Sequence, residues 1–159
     1  MIESLAYIGF TSPDPSAWNS FGPQVLGLEL APEVDGVVRL RQDDAAYRIA
    51  IHPGERDDLA YMGWAVTGPN ELRAVADKLT AAGVEVTWGD EALKASRQVV
   101  DLIQFSDPYG LQNEVVWGHT VRPSSFRPGR AHGGFVTGDG GLGHIVLISP
   151  DFSVSEAFY

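Results

Sequence analysis

The sequence predicts an α+β fold in which one βαβββ unit is written twice and the opening strand of a third copy follows. Two observations predict it: a strand motif that recurs along the chain, and a proline-punctuated helical stretch after its first two occurrences. The motif reads Leu5-Ala6-Tyr7-Ile8-Gly9-Phe10, then Leu59-Ala60-Tyr61-Met62-Gly63-Trp64, then Leu142-Gly143-His144-Ile145-Val146-Leu147. The first two copies lie 54 positions apart.

After the first strand, Ser12-Pro13-Asp14 opens a helical stretch that carries Trp18, Phe21 and Val25 and stops at Gly27. After the second, Pro69-Asn70 opens a clearer helix with Asn70 as N-cap, apolar Leu72, Val75, Ala76 and Leu79 at helical spacing, and Gly83 at its end. Strand-like runs follow each helix. Val37 to Arg41 and Tyr47 to Ile51 come after the first, with Leu28 to Ala31 a further candidate. Val84 to Trp88, Val99 to Phe105 and Leu111 to Trp117 come after the second. The expected organisation is therefore one domain over residues 1–118, a linker over 119–141 crowded with Pro and Gly, and the start of a further, truncated domain over 142–159.

Composition narrows the function. Eleven Lys and Arg against 21 Asp and Glu leave a net charge of −10, which argues against a nucleic-acid partner, since phosphate binding calls for a clustered basic face. The absence of cysteine removes disulfides, thiolate metal sites and Cys nucleophiles, so any metal must take His, carboxylate or Tyr ligands, and it fits a reducing cytoplasm. The N-terminus has no basic region ahead of an apolar run, and no apolar stretch reaches the length of a membrane span. A soluble, cytoplasmic protein without a membrane partner is the expectation.

Aligning the copies puts Tyr7, Tyr61 and His144 at one position, the third residue of the strand, and so on equivalent faces. Imidazole is the commonest protein metal ligand, yet a lone His on a strand is more often a satisfied core residue. Glu114 sits on the strand after the turn Asp107-Pro108-Tyr109-Gly110, and by spacing alone reads as an ordinary polar residue. His52, His119 and His132 fall where loops or the linker are expected and read as surface residues, while Trp18, Trp64, Trp88 and Trp117 read as packing residues.

The order of several segments resembles the extradiol dioxygenases that cleave 2,3-dihydroxybiphenyl and related catechols, members of the vicinal oxygen chelate (glyoxalase/bleomycin resistance/dioxygenase) superfamily. These are the first strand motif, Ala17-Trp18, Val25-Leu26-Gly27-Leu28, Arg48-Ile49-Ala50-Ile51 with Pro53-Gly54-Glu55, and Phe105-Ser106-Asp107-Pro108-Tyr109-Gly110-Leu111. The last and most specific is Phe135-Val136-Thr137-Gly138-Asp139-Gly140-Gly141-Leu142-Gly143-His144. The resemblance implies two domains, each of two βαβββ modules wrapped into an open barrel, with Fe(II) held only in the second by two histidines and a glutamate. His144 then matches the first iron ligand, and the remaining ligands and the catalytic acid–base residues are expected beyond Tyr159. In the first barrel the equivalent positions are Tyr7, Tyr61 and Glu114, so no metal and no cofactor are expected for this chain alone, and no turnover. The implied substrates are a catechol-type aromatic compound and O2, in aromatic hydrocarbon catabolism.

The alternative is a metal-free small-molecule-binding module of the same superfamily, and a one-domain metalloenzyme resembling glyoxalase is a third reading, which Tyr7 and Tyr61 speak against. The apolar run 142–148, expected as a strand with unpaired edges, predicts a homo-oligomer.

Overall fold

The computed structural model describes residues 1–33 and 35–159. Its centre is a mixed sheet of eight strands. These are β1 (Ser4–Ser12), β2 (Glu29–Leu30), β3 (Val38–Arg41), β4 (Ile49–Pro53), β5 (Asp58–Ala65), β6 (Thr87–Trp88), β7 (Asp101–Ser106) and β8 (Gln112–Trp117), in the order β2-β3-β4-β1-β5-β8-β7-β6. Each module pairs its first strand in parallel with its own last strand, β1 with β4 and β5 with β8, and the modules meet where β1 and β5 run antiparallel. The repeat seen in the sequence is thus a repeat of topology.

The helices differ between modules. Pro15–Ala17, α1 (Trp18–Phe21) and Gly22–Leu26 form successive 3-10, α and π turns. Pro23 inside the last of these has no N–H to donate, which breaks the regular hydrogen-bond ladder. As expected, the run ends at Gly27, where the chain turns left-handed at φ 76°. In the second module α2 (Pro69–Ala81) is regular; it starts two residues earlier than expected, with Gly68 rather than Asn70 as N-cap and Pro69 in its first turn. Asn70 is therefore inside the helix. Leu72 and Ala76 of α2 pack against Ile103, Phe105 and Val115, the outer face of β7 and β8. Burying one such leucine contributes roughly 2 kcal/mol.

The sequence reading missed α3 (Glu91–Arg97), inserted between β6 and β7. Asp90 caps it, its Oδ1 accepting from the Leu93 N–H at 2.7 Å, and Leu93 anchors it to the inner cluster of the sheet. Its insertion shortens the expected strand over 84–88 to two residues.

The segment expected as a linker lies back along the first module. Ala46 N–H donates to Thr120 O, Arg41 Nη2 to Ser124 O, Arg127 N–H to Glu29 Oε2 and Arg130 Nε to Val25 O. Its far end reaches β1, where Leu142 N–H donates to Leu5 O beside a single bridge from Leu5 to Gly141. Beyond that bridge residues 142–148 form no strand, contrary to expectation: their backbone has no neighbouring strand to pair with. A short helix, α4 (Phe152–Phe158), follows. Tyr159 after it accepts from Asn113 Nδ2 at 3.2 Å and donates to Asp107 Oδ2 at 3.1 Å, and Phe158 packs near Phe105.

Candidate functional site

Strand register decides what gathers on the inner face of the sheet, the face turned away from α2. Tyr7 stands opposite Gly63, Gly63 opposite Glu114, and Glu114 opposite Gln104, so these four form one row across β1, β5, β8 and β7. One register step away, Tyr61 stands opposite Gly9. Each tyrosine ring lies across the glycine of the other strand. A Cβ on Gly63 would come within 2.3 Å of the Tyr7 ring, and one on Gly9 within 2.2 Å of the Tyr61 ring. The Tyr-x-Gly of both repeats is therefore one device used twice, a flat ring laid over bare backbone.

The row makes a buried polar network. Tyr7 OH donates to Glu114 Oε2 at 2.6 Å, Gln104 Nε2 donates to Oε1 at 2.9 Å, and Arg97 Nε lies 3.0 and 2.9 Å from the two oxygens. Arg97 Nη2 completes an ion pair at 2.9 Å from Oε1, and its guanidinium carbon stands 3.8 Å from the centre of the Tyr61 ring. Glu114 is fully buried. Such a pair is held by its hydrogen bonds, because desolvating two charges costs several kcal/mol before any attraction is counted. Arg97 owes its position to α3: it is the last residue of that helix, and Gln98 at φ 53° turns the chain away behind it. Burial and the Glu114 carboxylate push the Tyr7 hydroxyl well above its usual range, and burial pushes Tyr61 to about 12.

Around this network stand Tyr47, stacked on Tyr7 at 5.2 Å, and His119, edge-on to both rings. His119 is thus not the surface residue expected from sequence; burial, with the Arg48 cation, lowers it to about 4. His52 lies on β4, not in a loop, with Nε2 2.8 Å from Tyr61 OH. Burial, then the cations of Arg97 and Arg39, lower it to about 4. His132 bonds to Gly27 O. His144 is exposed and lies outside any strand, far in sequence from the inner-face network and without a place in it. Trp64 donates to Asn113 Oδ1, Trp18 stacks on Phe10, and Trp88 is half exposed.

The inner face does not fit a metal ion. Both oxygens of its one carboxylate are taken by Tyr7, Gln104 and a guanidinium, and both phenols keep their protons. Among the described residues no group of three or more His, Asp or Glu could hold a metal. Sequence reasoning singled out Tyr7, Tyr61 and Glu114 but not Arg97; its signals were Asp90 as a cap and the Glu91–Lys94 spacing of a short helix.

Comparison with known proteins follows the same lines. Residues 5–54 match the family described as dihydroxybiphenyl dioxygenase BphC D1. Biphenyl-2,3-diol 1,2-dioxygenase of Paraburkholderia xenovorans strain LB400 is 46% identical over 159 residues, 99% of this chain and 53% of that protein. The chain is similar to this dioxygenase along nearly its whole length. It is also 39% identical to 1,2-dihydroxynaphthalene dioxygenase of Pseudomonas putida, across 99% of the chain and 53% of that protein. The crystal structure of BphC, a halotolerant catechol dioxygenase, superposes with a TM-score of 0.96 at 43% identity, covering all of the chain and 54% of that structure. The chain therefore spans about half the length of the relatives it matches, and it shares with the solved structure the open sheet of paired βαβββ modules. Among its described residues no helix is long and apolar enough to cross a membrane.

Proposed function

We propose that this chain is the metal-free first part of an iron(II)-dependent extradiol dioxygenase that opens catechol-type rings with O2 in aromatic degradation, working in the cytoplasm. The observation that carries the reading is 46% identity along 99% of the chain to an enzyme about twice as long. In this reading residues 1–118 are a structural barrel, 119–141 a tether held against it, and 142–159 the beginning of the catalytic domain.

His144 is the one residue of the chain that would hold the iron. It is solvent-exposed, and its neighbours Val146 and Ile148 are exposed apolar side chains, which suits a segment that takes up a pairing partner in the complete enzyme. Iron(II) bound by three protein ligands on one face would leave open positions for both catechol oxygens and for dioxygen, and would carry the electron transfer of ring opening. The barrel contributes a fixed support: its inner face is filled by Tyr7, Tyr47, Tyr61, Arg97 and Glu114, and its Asn113 and Asp107 bond Tyr159, the residue that follows α4. The exposed Val146, Ile148 and Phe152 also support association into homo-oligomers.

The test is made on the product of the natural gene, with iron content and ring opening of a panel of catechols as readouts. The wild-type protein should hold iron and open the ring beside the diol, and His144→Ala should lose both. The 159-residue chain alone with added Fe(II) should turn over none; ring opening by it, or an iron content unchanged in His144→Ala, would overturn the reading.

A further inference from the structure

We infer that the first barrel contains a cation site whose permanent occupant is the guanidinium of Arg97, and that this side chain, not only the two tyrosines, keeps divalent cations out. The inference rests on the geometry of the inner face. Glu114 is a fully buried carboxylate placed within a cross-strand row, between the side chains of Tyr7 from β1 and Gln104 from β7. A buried anion needs a buried cation or a metal. Here the cation arrives from outside the repeat, on the inserted helix α3, and settles between the Glu114 oxygens at 2.9–3.0 Å and the face of Tyr61 at 3.8 Å.

Three features show the place to be built for a positive charge. Gln104 donates to Glu114 at 2.9 Å and Tyr7 at 2.6 Å, fixing the carboxylate's rotamer whatever its counter-ion. The Tyr61 ring offers its electron-rich face rather than its edge. Among its described residues the first module has no counterpart of α3, so the occupant is not a product of the duplication. The other charged and titratable groups facing the site are Tyr47, stacked on Tyr7, Arg39, over the Tyr47 ring at 5.7 Å and bonded to Ser96 O, and His52, bonded to Tyr61. None of them is hydrogen-bonded to Glu114. Removing the Arg97 side chain should therefore open a hole that selects a cation of the right shape, and replacing the tyrosines by imidazoles should turn the same hole into a divalent-metal site of two histidines and a carboxylate.

The experiment uses the whole 159-residue chain. Arg97→Ala is melted with and without millimolar guanidinium and, as a neutral isostere, urea. Guanidinium should raise the melting temperature of Arg97→Ala but not of wild type, urea should raise neither, and Arg97→Ala/Glu114→Gln should no longer respond. Equal effects of urea and guanidinium, or none from guanidinium, would overturn the inference; a variant that folds only with guanidinium present supports it. The second arm titrates Co(II), read by its visible absorption, into Tyr7→His/Tyr61→His with Arg97 kept and into the same variant carrying Arg97→Ala. One equivalent should bind where Arg97 is gone, at least about tenfold more tightly than in the variant that keeps it. Equal binding by both, or none by the folded triple variant, would show that Arg97 is not what excludes the metal. If the histidine variants do not fold, the guanidinium arm decides by itself.

Discussion

The hydroxyl of Tyr7 reaches Glu114 across the bare backbone of Gly63, so that β1 and β8, which never pair, are tied by a 2.6 Å hydrogen bond over the strand between them. Tyr7→Phe keeps the ring stacked on Tyr47 and removes only this donor to a buried carboxylate. A loss of about 1.5–3 kcal/mol is expected, read from the midpoint of denaturant unfolding with an unchanged slope. A change within about 0.5 kcal/mol, the range of surface substitutions, would mean that the bond contributes little.

Gly63→Ala tests the ring-over-glycine contact directly. The added methyl would meet the Tyr7 ring at 2.3 Å, and a buried aromatic ring between Tyr47 and His119 has no free direction to move. The expected cost is about 1–3 kcal/mol or more. Combining it with Tyr7→Ala should give less than the sum of the single losses, and strict additivity would place the strain elsewhere.

Stability should depend on pH through two imidazoles. His119 and His52 are both held near 4 in the fold, below the ordinary 6.5. The unfolded chain therefore binds protons that the native one refuses between these values. The associated stability is present above pH 6.5, is lost as pH falls towards 4, and changes no further below that. His119, largely buried, accounts for roughly 3 kcal/mol, and the half-exposed His52 for less. His119→Phe should flatten the profile over this window; superimposable curves would contradict its burial.

Asp90→Ala should cost about 1 kcal/mol by leaving the Leu93 N–H without its cap. Since α3 carries Arg97, the same substitution should speed hydrogen exchange at 91–97 ahead of the sheet strands. Uniform exchange throughout the domain would indicate that α3 opens only with the whole fold.

What could be read in the sequence is what repeats. Tyr7-x-Gly9 and Tyr61-x-Gly63 announce two equivalent strands, and Gly27 and Gly83 mark the ends of their helices, because these features are local and recur. Arg97 was not legible for the opposite reason: it enters from an insertion with no echo in the first module, and a charged residue at a helix end reads as solvated until a buried partner is known. His119 was misplaced because Gly118 before it suggested a loop, while the contact that buries it comes from Tyr7 and Tyr47, far away in sequence. Residues 142–148 have a strand's composition, but a strand also needs a neighbour. The identity of that stretch was carried by resemblance, and periodicity alone would have left His144 an unremarkable side chain.

The strand order bears on how the polypeptide reaches this shape. β1 is synthesised before the other strands of its sheet, yet it sits in the middle of that sheet, with Ile8 beside Ile49 on one flank and Met62 on the other, and Leu5 bonded to Leu142 at its end. Every lateral partner it has is synthesised later, and the helices of the first module are too short and irregular to hold it meanwhile. The nascent chain must therefore carry β1 with no lateral partner until β4 has emerged and with one edge open until β5 follows, so assembly is governed by distant encounters rather than local ones. Folding should be slow for a chain of this size, and chaperone dependence should be greatest while the second module is being made.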